Sequence, residues 1–183
     1  MKKNIIFSTL AVGLLIAFLI GCSDDFLNTQ PTSSLSDVVL ANEKGVNALL
    51  IGAYAAIDGQ TRGAAGASWA GCVTNWVWGE VASDNATKGS DLSDQSTINP
   101  IENYTADPSN GYIADKWYVN YDGIARANDV LKVMALSNPP LPDAFQTSIK
   151  AQALFIRAFI HFKLKRVFNN IPYTTEDVDP VTV

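Results

Sequence analysis

Two long segments of helical periodicity, separated by a proline-rich break, limit what this chain can fold into. In the first segment one helix face is drawn by residues at steps of three and four: Ile113, Trp117, Tyr121, Ile124, Asn128 and Leu131. Residues 137–142 read Ser-Asn-Pro-Pro-Leu-Pro and break that helix. Asp143 is expected to cap a second helix that runs to about Phe168. Two long helices joined by a short break predict an antiparallel hairpin and a mainly α fold.

The second helix carries two apolar stripes. One comprises Ile149, Ala153, Ile156, Ile160 and Val167, and the other comprises Phe155, Phe159 and Phe162. A helix that is apolar on two sides is expected to pack on both. Asn169 can adopt the left-handed conformation that closes the helix, and Pro172 prevents it from resuming.

A shorter amphipathic helix is predicted nearer the N-terminus, with Asn42 as its N-cap and Gly59 at its end. The region 60–111 that follows has no long period and is rich in Gly, Ala, Ser, Asn and Asp. A stretch of this length is either disordered or a functional surface loop. Its tryptophans, Trp69, Trp76 and Trp78, favour packing, because disordered segments are poor in aromatic residues.

The first residues have the composition of a secretory signal. Lys2 and Lys3 precede an apolar run over 5–20, which ends in Leu-Ile-Gly followed by Cys22. The run is shorter than the roughly 20 residues that span a bilayer, which favours cleavage over a membrane helix. We therefore expect a lipoprotein signal peptide over 1–21 and acylation of Cys22. A lipid-anchored tether over 22–36 and a helical domain over 37–183 would follow.

The charge of the chain limits the classes of ligand that it can bind, and its cysteine content bears on whether a disulfide forms. The net charge of −5 becomes −7 once Lys2 and Lys3 are removed. This acidic balance gives no basic surface for nucleic acid and is compatible with a neutral or cationic ligand. Cys72 has no partner once Cys22 carries lipid, so no internal disulfide is expected, and Cys72 is read as a small buried residue.

The irregular region holds the candidate ligand-binding residues, which are Trp76, Trp78, Asp84, Asn85, Lys88 and Asp91. Trp69, Trp76 and Trp78 could form a sugar platform or attach the loop to the helices. Asp84, Asp91 and Asp94 with Lys88 could contact ligand hydroxyls or Ca²⁺, or simply form a solvated loop; their spacing is not that of an EF-hand.

Three further residues are assigned structural roles: Trp117, Asn128 and Arg157. Arg157 lies between the two stripes of its helix and is expected to tie helices together. Asn128, on an otherwise apolar face, needs hydrogen-bond partners. His161 is the only histidine and has no nucleophile beside it in sequence, so it is read as a surface or packing residue.

Several short motifs then point to one family. Residues 150–162 read Lys-Ala-Gln-Ala-Leu-Phe-Ile-Arg-Ala-Phe-Ile-His-Phe, and residues 168–172 read Phe-Asn-Asn-Ile-Pro. Other pieces occur in order along the chain: Phe26-Leu27, Gly52-Ala53-Tyr54, Ser83-Asp84, and Trp117 with Tyr121, Ile124, Ala127 and Asn128. Together they resemble the N-terminal part of the SusD/RagB-like nutrient-uptake lipoproteins of Bacteroidetes outer membranes.

That resemblance implies a larger all-α protein built on helix pairs similar to tetratricopeptide units, of which this chain looks like an N-terminal fragment. Such proteins are lids on TonB-dependent (SusC-like) outer-membrane transporters. They capture oligosaccharide or peptide nutrients and are not enzymes, and no cofactor or metal is expected. Ser23, Asp24 and Asp25 resemble the signal that sends these lipoproteins to the outer face of the cell outer membrane.

One departure from the family pattern bears on which ligand can be expected. The starch-binding relative has tryptophans after its Asp-x-Ala stretch, whereas Ser83-Asp84-Asn85-Ala86 is followed here by Thr-Lys-Gly-Ser. A starch assignment is therefore not carried over. Two other classes stay open, a surface-anchored glycoside hydrolase fragment and a helical scaffold for outer-membrane protein assembly.

Overall fold

A computed structural model describes residues 35–60, 68–71, 75–89 and 91–178, with only the backbone of residues 68 and 69. The expected signal peptide and the expected surface signal Ser23, Asp24 and Asp25 lie outside these residues. So do Cys22, Cys72 and the side chain of Trp69. In the described part of the chain, no helix has the length and hydropathy needed to span a membrane.

The described residues are helical, and they contain no β-strand, which confirms the mainly α fold class. The helices are α1 (Asp37–Leu40), α2 (Glu43–Ile57), α3 (Ser68–Gly71), α4 (Trp76–Gly79), α5 (Asn99–Glu102), α6 (Gly111–Ala135) and α7 (Asp143–Phe168). Two 3-10 turns lie at Val81–Ser83 and Ser96–Ile98.

Helices α2, α6 and α7 pack on one another and enclose the main core. Its buried side chains are Val46, Leu50, Ala53, Ile124, Ala127, Val130, Leu131, Val133, Ile149, Ala153, Ile156, Ile160 and Leu164. Because α6 and α7 are joined by the short proline-rich segment and lie side by side, they form the expected helical hairpin.

The helix ends agree with the sequence-based predictions at some positions and differ from them at others. The Asn42 side chain accepts a hydrogen bond from the Gly45 amide at 3.1 Å, as expected of an N-cap. Asp143, however, is the first residue of α7 rather than its cap. Pro142 takes the cap position and its carbonyl accepts the first helical bond, from the Gln146 amide at 3.0 Å. The Asp143 carboxylate lies instead in the first turn, where it complements the helix dipole.

The end of α7 is also different from the expected one. Asn169 has a φ of +62° but a ψ of −100°, so it lies outside the left-handed helical region. Its amide still bonds to the Lys165 carbonyl at 3.0 Å. The Lys165 ammonium in turn reaches the side-chain oxygens of Asn169 and Asn170, at 3.1 and 3.2 Å. The helix therefore ends in a backbone hydrogen bond accompanied by side-chain contacts, and not in a left-handed helical residue.

The expectation that α7 packs on two sides is wrong for the described residues. The stripe that includes Ile149 and Ile156 is buried, but Phe155 is 61% and Phe162 60% exposed. The third member of this stripe, Phe159, is half-buried against the main core, and its ring stacks on that of Phe155 at 6.3 Å. The reason is geometric, since α2 and α6 both pack on the first stripe.

The buried face of α6 also differs from the predicted one. Trp117 is 38% exposed, whereas its neighbour Lys116 is fully buried. Val119, Asn120 and Gly123 continue that buried face. A polar side chain can lie at the centre of a face when carbonyl oxygens satisfy it. The hydropathy pattern therefore indicated a face that is offset from the true one.

A second, smaller core organises the irregular region. Val77, Val81, Ile98, Ile101 and Tyr112 are buried together, and Trp78 packs against them. The described segments around residues 77–81 and 98–101 are thus packed, whereas the described residues between them, 83–89 and 91–97, are mostly exposed. The packed segments are anchored on the first turn of α6, where the Asn110 side chain caps the helix through the Tyr112 amide at 2.9 Å.

Candidate functional site

Two of the predicted ligand-binding residues hold their own loop together. The Lys88 ammonium donates to the backbone carbonyl of Asp91 at 2.7 Å and to that of Asp94. The Asp91 carboxylate accepts bonds from the Ser93 amide at 2.8 Å, the Ser93 hydroxyl, and the Asp94 amide at 3.0 Å. These bonds, the one from the Ser93 hydroxyl first, hold the pKa of Asp91 below its usual value. Both side chains therefore shape the loop.

Asp84 and Asn85 follow the first 3-10 turn and are exposed. Asp84 has a φ of +61°, in the left-handed region that Asp tolerates better than most residues. The backbone amide of Asn85 is bonded to the Glu80 carbonyl at 3.1 Å, which fixes the turn. Their side chains are thus presented to solvent by a rigid turn.

Trp76 and Trp78 do not form a joint platform. They are two positions apart in α4, so their side chains leave the helix on different sides. Trp76 is 37% exposed, whereas Trp78 packs on the smaller core. The indole N–H of Trp78 is buried, and no hydrogen-bond partner for it exists among the described residues. The structure therefore brings Lys88 and Asp91 together and separates the two tryptophans.

A further concave surface lies elsewhere, between α6 and the extended segment 171–178. This α6 groove has a volume of about 700 Å³. It is lined by Trp117, Tyr121, Ala125, Asn128, Asp129, Lys132, Pro172, Thr174, Thr175, Glu176, Asp177 and Val178. Its size falls within the roughly 300–1,000 Å³ of pockets that bind small ligands.

One end of the α6 groove is aromatic. The ring of Trp117 lies 4.7 Å from that of Tyr121 and 5.1 Å, edge to face, from that of Phe168. The Tyr121 hydroxyl donates to the Pro172 carbonyl at 2.8 Å, which attaches segment 171–178 to α6. Trp117 is therefore held on two sides while part of its surface stays open.

The other end of the groove is polar and crosslinked. Nη1 of Arg157 donates to Oδ1 of Asn128 at 2.9 Å and also pairs with the Glu176 carboxylate. Nδ2 of Asn128 reaches the Thr174 carbonyl at 3.4 Å. A bond from its own backbone amide, and then the Arg157 side chain, hold the pKa of Glu176 below its usual value.

Buried His161 bonds to residues on both sides of the polar end of the groove, Arg157 of α7 and Thr174 of segment 171–178. Its Nδ1 lies 2.9 Å from the Arg157 carbonyl, to which it donates as the neutral Nδ1–H tautomer. Nε2 then accepts from the Thr174 amide at 3.4 Å. Burial lowers the pKa of His161, and the nearby charge of Arg157 acts in the same direction.

Comparison with known proteins identifies the family of this chain. The family model SusD-like_3, described as "Starch-binding associating with outer membrane", matches residues 25–182. This chain belongs to the SusD-like family. It is similar to SusD-like protein P2 of Formosa agariphila, with 27% identity over 167 residues. That alignment covers 87% of this chain but only 29% of the relative's length. No solved structure matches significantly.

The charges around the groove of this SusD-like chain are mainly negative. Asp129, Glu176 and Asp177 line it, against one lining cation, Lys132. The Lys132 ammonium also lies 3.5 Å from the Asp37 carboxylate of α1. In the described ranges no group of three or more His, Cys, Asp or Glu residues is arranged to hold a metal ion.

Sequence reasoning did not identify the α6 groove. Asn128 and Arg157 were assigned structural roles, and the structure places them at its polar end, while Trp117 forms its aromatic end. Segment 171–178 has no periodicity, so nothing in its pattern indicated that it lies along α6. The available signal was the pair Trp117 and Tyr121, one turn apart on α6, which puts two aromatic side chains on one face.

Proposed function

We propose that this SusD-like protein captures glycan nutrients at the cell surface and delivers them to a TonB-dependent outer-membrane transporter. The observation that carries the proposal is the family match over 25–182, whose description joins starch binding to the outer membrane. Peptide nutrients are the second ligand class that the resemblance implies.

The proposed location follows from the N-terminal residues. Acylation of Cys22 would anchor the protein in the cell outer membrane, and Ser23, Asp24 and Asp25 would direct it to the outer face. An anchored protein with a short polar tether would be confined to the same membrane surface as a transporter, which raises the effective concentration of one partner for the other.

Two carboxylates of the candidate sites lack one property that glycoside hydrolysis requires of its general acid. A glycosidase needs one carboxylic acid with a raised pKa to protonate the leaving group. Asp91 in the loop and Glu176 in the groove both have lowered pKa values, because each accepts hydrogen bonds. Both groups therefore remain ionised and are poor general acids.

The test is affinity purification of the complete gene product from its native outer membrane in mild detergent. Mass spectrometry is expected to find a TonB-dependent transporter at near-equal amount. The matched control is Cys22→Ala, which should lose both the membrane fraction and the transporter. Purification of the wild-type protein without any transporter would overturn the proposal and favour a scaffold or a free-standing enzyme.

A further inference from the structure

We infer that the α6 groove is a binding subsite for a neutral oligosaccharide. The inference rests on the proposed function for the ligand being a glycan, and it adds the site and the charge class of the sugar. The loop after α4 holds the residues singled out by sequence, but the groove combines a volume of about 700 Å³ with an aromatic wall.

Trp117 is the residue suited to contact a sugar ring. A pyranose presents apolar C–H faces, and these pack on the flat face of an aromatic side chain. Trp117 is 38% exposed, and Tyr121 and Phe168 fix its ring from two sides. Because these two rings already contact Trp117, a ligand that stacks on it would cost less ordering entropy than one that stacks on a side chain without such contacts.

Polar groups for the sugar hydroxyls lie farther along the same groove. Thr174, Thr175 and Asp177 line it on segment 171–178, and Asn128 lines it on α6. The segment is held in place through Tyr121, Asn128 and His161, which bond to its backbone. An aromatic wall with a few fixed polar groups is the usual composition of a site that orients a neutral polar ligand.

The charges argue for a neutral rather than an acidic sugar. A uronate or a sulfated sugar in the groove would face Asp129 and Asp177, against one lining cation, Lys132, whose ammonium also lies near the Asp37 carboxylate. Glu176 adds little to this repulsion, because its carboxylate is paired with the buried Arg157 guanidinium. A neutral ligand avoids the repulsion and can donate hydroxyl hydrogens to the carboxylates.

The experiment is calorimetric titration of the complete gene product with three neutral probes and one acidic probe. These are maltohexaose, cellohexaose, xylohexaose and hexagalacturonate. We expect Trp117→Ala to weaken binding of the neutral probe about tenfold, as loss of an aromatic contact does. The matched control is Tyr118→Ala, which removes an exposed aromatic residue of the same helix that does not line the groove.

Two further variants keep the test decisive if Trp117→Ala does not fold. Trp117→Phe retains an aromatic packing partner for Phe168 and should still weaken binding. Asp177→Asn changes only charge on an exposed residue and should strengthen the weak binding of hexagalacturonate several-fold.

The outcomes separate this inference from the proposed function. No binding of any neutral probe, or unchanged affinity in folded Trp117 variants, overturns the α6 groove as the subsite. If Trp76→Ala abolishes binding while Trp117→Ala does not, the sugar binds near α4, and glycan capture itself survives. Co-purification of a transporter tests the proposed function independently of either result.

Discussion

Nη1 of Arg157 on α7 donates a hydrogen bond to Oδ1 of Asn128 on α6, 2.9 Å away. The same nitrogen pairs with Glu176, so one buried guanidinium connects both long helices to segment 171–178. Asn128 uses its remaining polar group on the Thr174 carbonyl. The polar end of the α6 groove is therefore a single connected network, and removal of one member leaves others without partners.

The first prediction concerns Arg157. Arg157→Met should lower the free energy of unfolding by about 1–3 kcal/mol, because Asn128 loses a partner and the half-buried Glu176 carboxylate loses its counter-charge. Guanidinium chloride denaturation measures the change. Arg166→Met on the exposed side of the same helix should stay within about 0.5 kcal/mol of wild type. Equal effects of the two substitutions would contradict a role for the network in stability.

The second prediction concerns pH. Burial first, and then the charge of Arg157, lower the pKa of His161 and keep it neutral, whereas the bond to the Arg157 carbonyl acts in the opposite direction. The Thr174 amide donates to Nε2, which can accept only while it carries no proton. The groups facing it are the Arg157 guanidinium, paired with Glu176, and the rings of Tyr121 and Tyr173. Because the pKa of His161 is lower in the folded state, the unfolded chain binds the proton first. Its stabilising contribution is complete above about pH 6.5 and is lost as the pH falls below that value.

The measurement is the free energy of unfolding at half-unit steps from pH 7.5 to pH 5. The wild-type protein should lose stability below about pH 6.5, and His161→Gln should flatten this part of the profile. Glu176 does not contribute to this part of the profile. Because its pKa is lowered in the folded state, it changes the free energy of unfolding only below about pH 4.3, the ordinary pKa of a glutamate. A His161→Gln profile parallel to that of wild type would show that this histidine does not control the slope.

The third prediction uses two glycines of α2 as a matched pair. A Cβ on Gly45 would lie 2.7 Å from the Leu40 backbone Cα, whereas a Cβ on Gly52 has open space around it. Gly45→Ala should therefore destabilise the protein by about 1–3 kcal/mol, the range for steric overpacking. Gly52→Ala should stabilise it by up to about 1 kcal/mol through helix propensity. Thermal unfolding of both variants gives the comparison, and a shift in the same direction for both would refute the close approach.

The parts of the fold that depend on periodicity could be predicted from the sequence. Residues 113–131 and 143–168 carry a long helical period around one strong break, so both long helices and their hairpin followed from local rules. The N-cap at Asn42 followed in the same way, because one side chain satisfies one amide.

The buried face of α6 could not be predicted by those rules, because it depends on contacts between distant residues. Lys116 is fully buried since its ammonium reaches the Ala70 carbonyl at 3.1 Å and the Asn75 side chain at 2.8 Å. No local pattern records those partners. The α6 groove was missed for the same reason, because one wall is a segment about 50 residues away whose backbone is bonded by Tyr121 and Asn128 of α6.

The last prediction concerns helix α3, whose backbone carbonyls accept hydrogen bonds from side chains of α6 and α7. The Lys163 ammonium donates to the Gly71 carbonyl at 2.7 Å, and Asn120 donates to the Ala70 carbonyl at 3.2 Å. Gly71 is also packed tightly, since a Cβ there would lie 2.8 Å from the Ala56 carbonyl oxygen. The carbonyl of Gly71 would thus be left without this charged donor if Lys163 were replaced.

Lys163→Met keeps the length of the apolar stem but removes the donor. We expect a loss of about 1.5–3 kcal/mol, the usual contribution of a hydrogen bond from a charged group. Faster amide exchange of peptides covering residues 68–71, measured by hydrogen–deuterium exchange, should accompany it. Arg166→Met, on an exposed cationic residue three positions farther along α7, is the matched control. If exchange over 68–71 is the same in both variants, α3 is held by packing alone and the buried ammonium of Lys163 is not what fixes it.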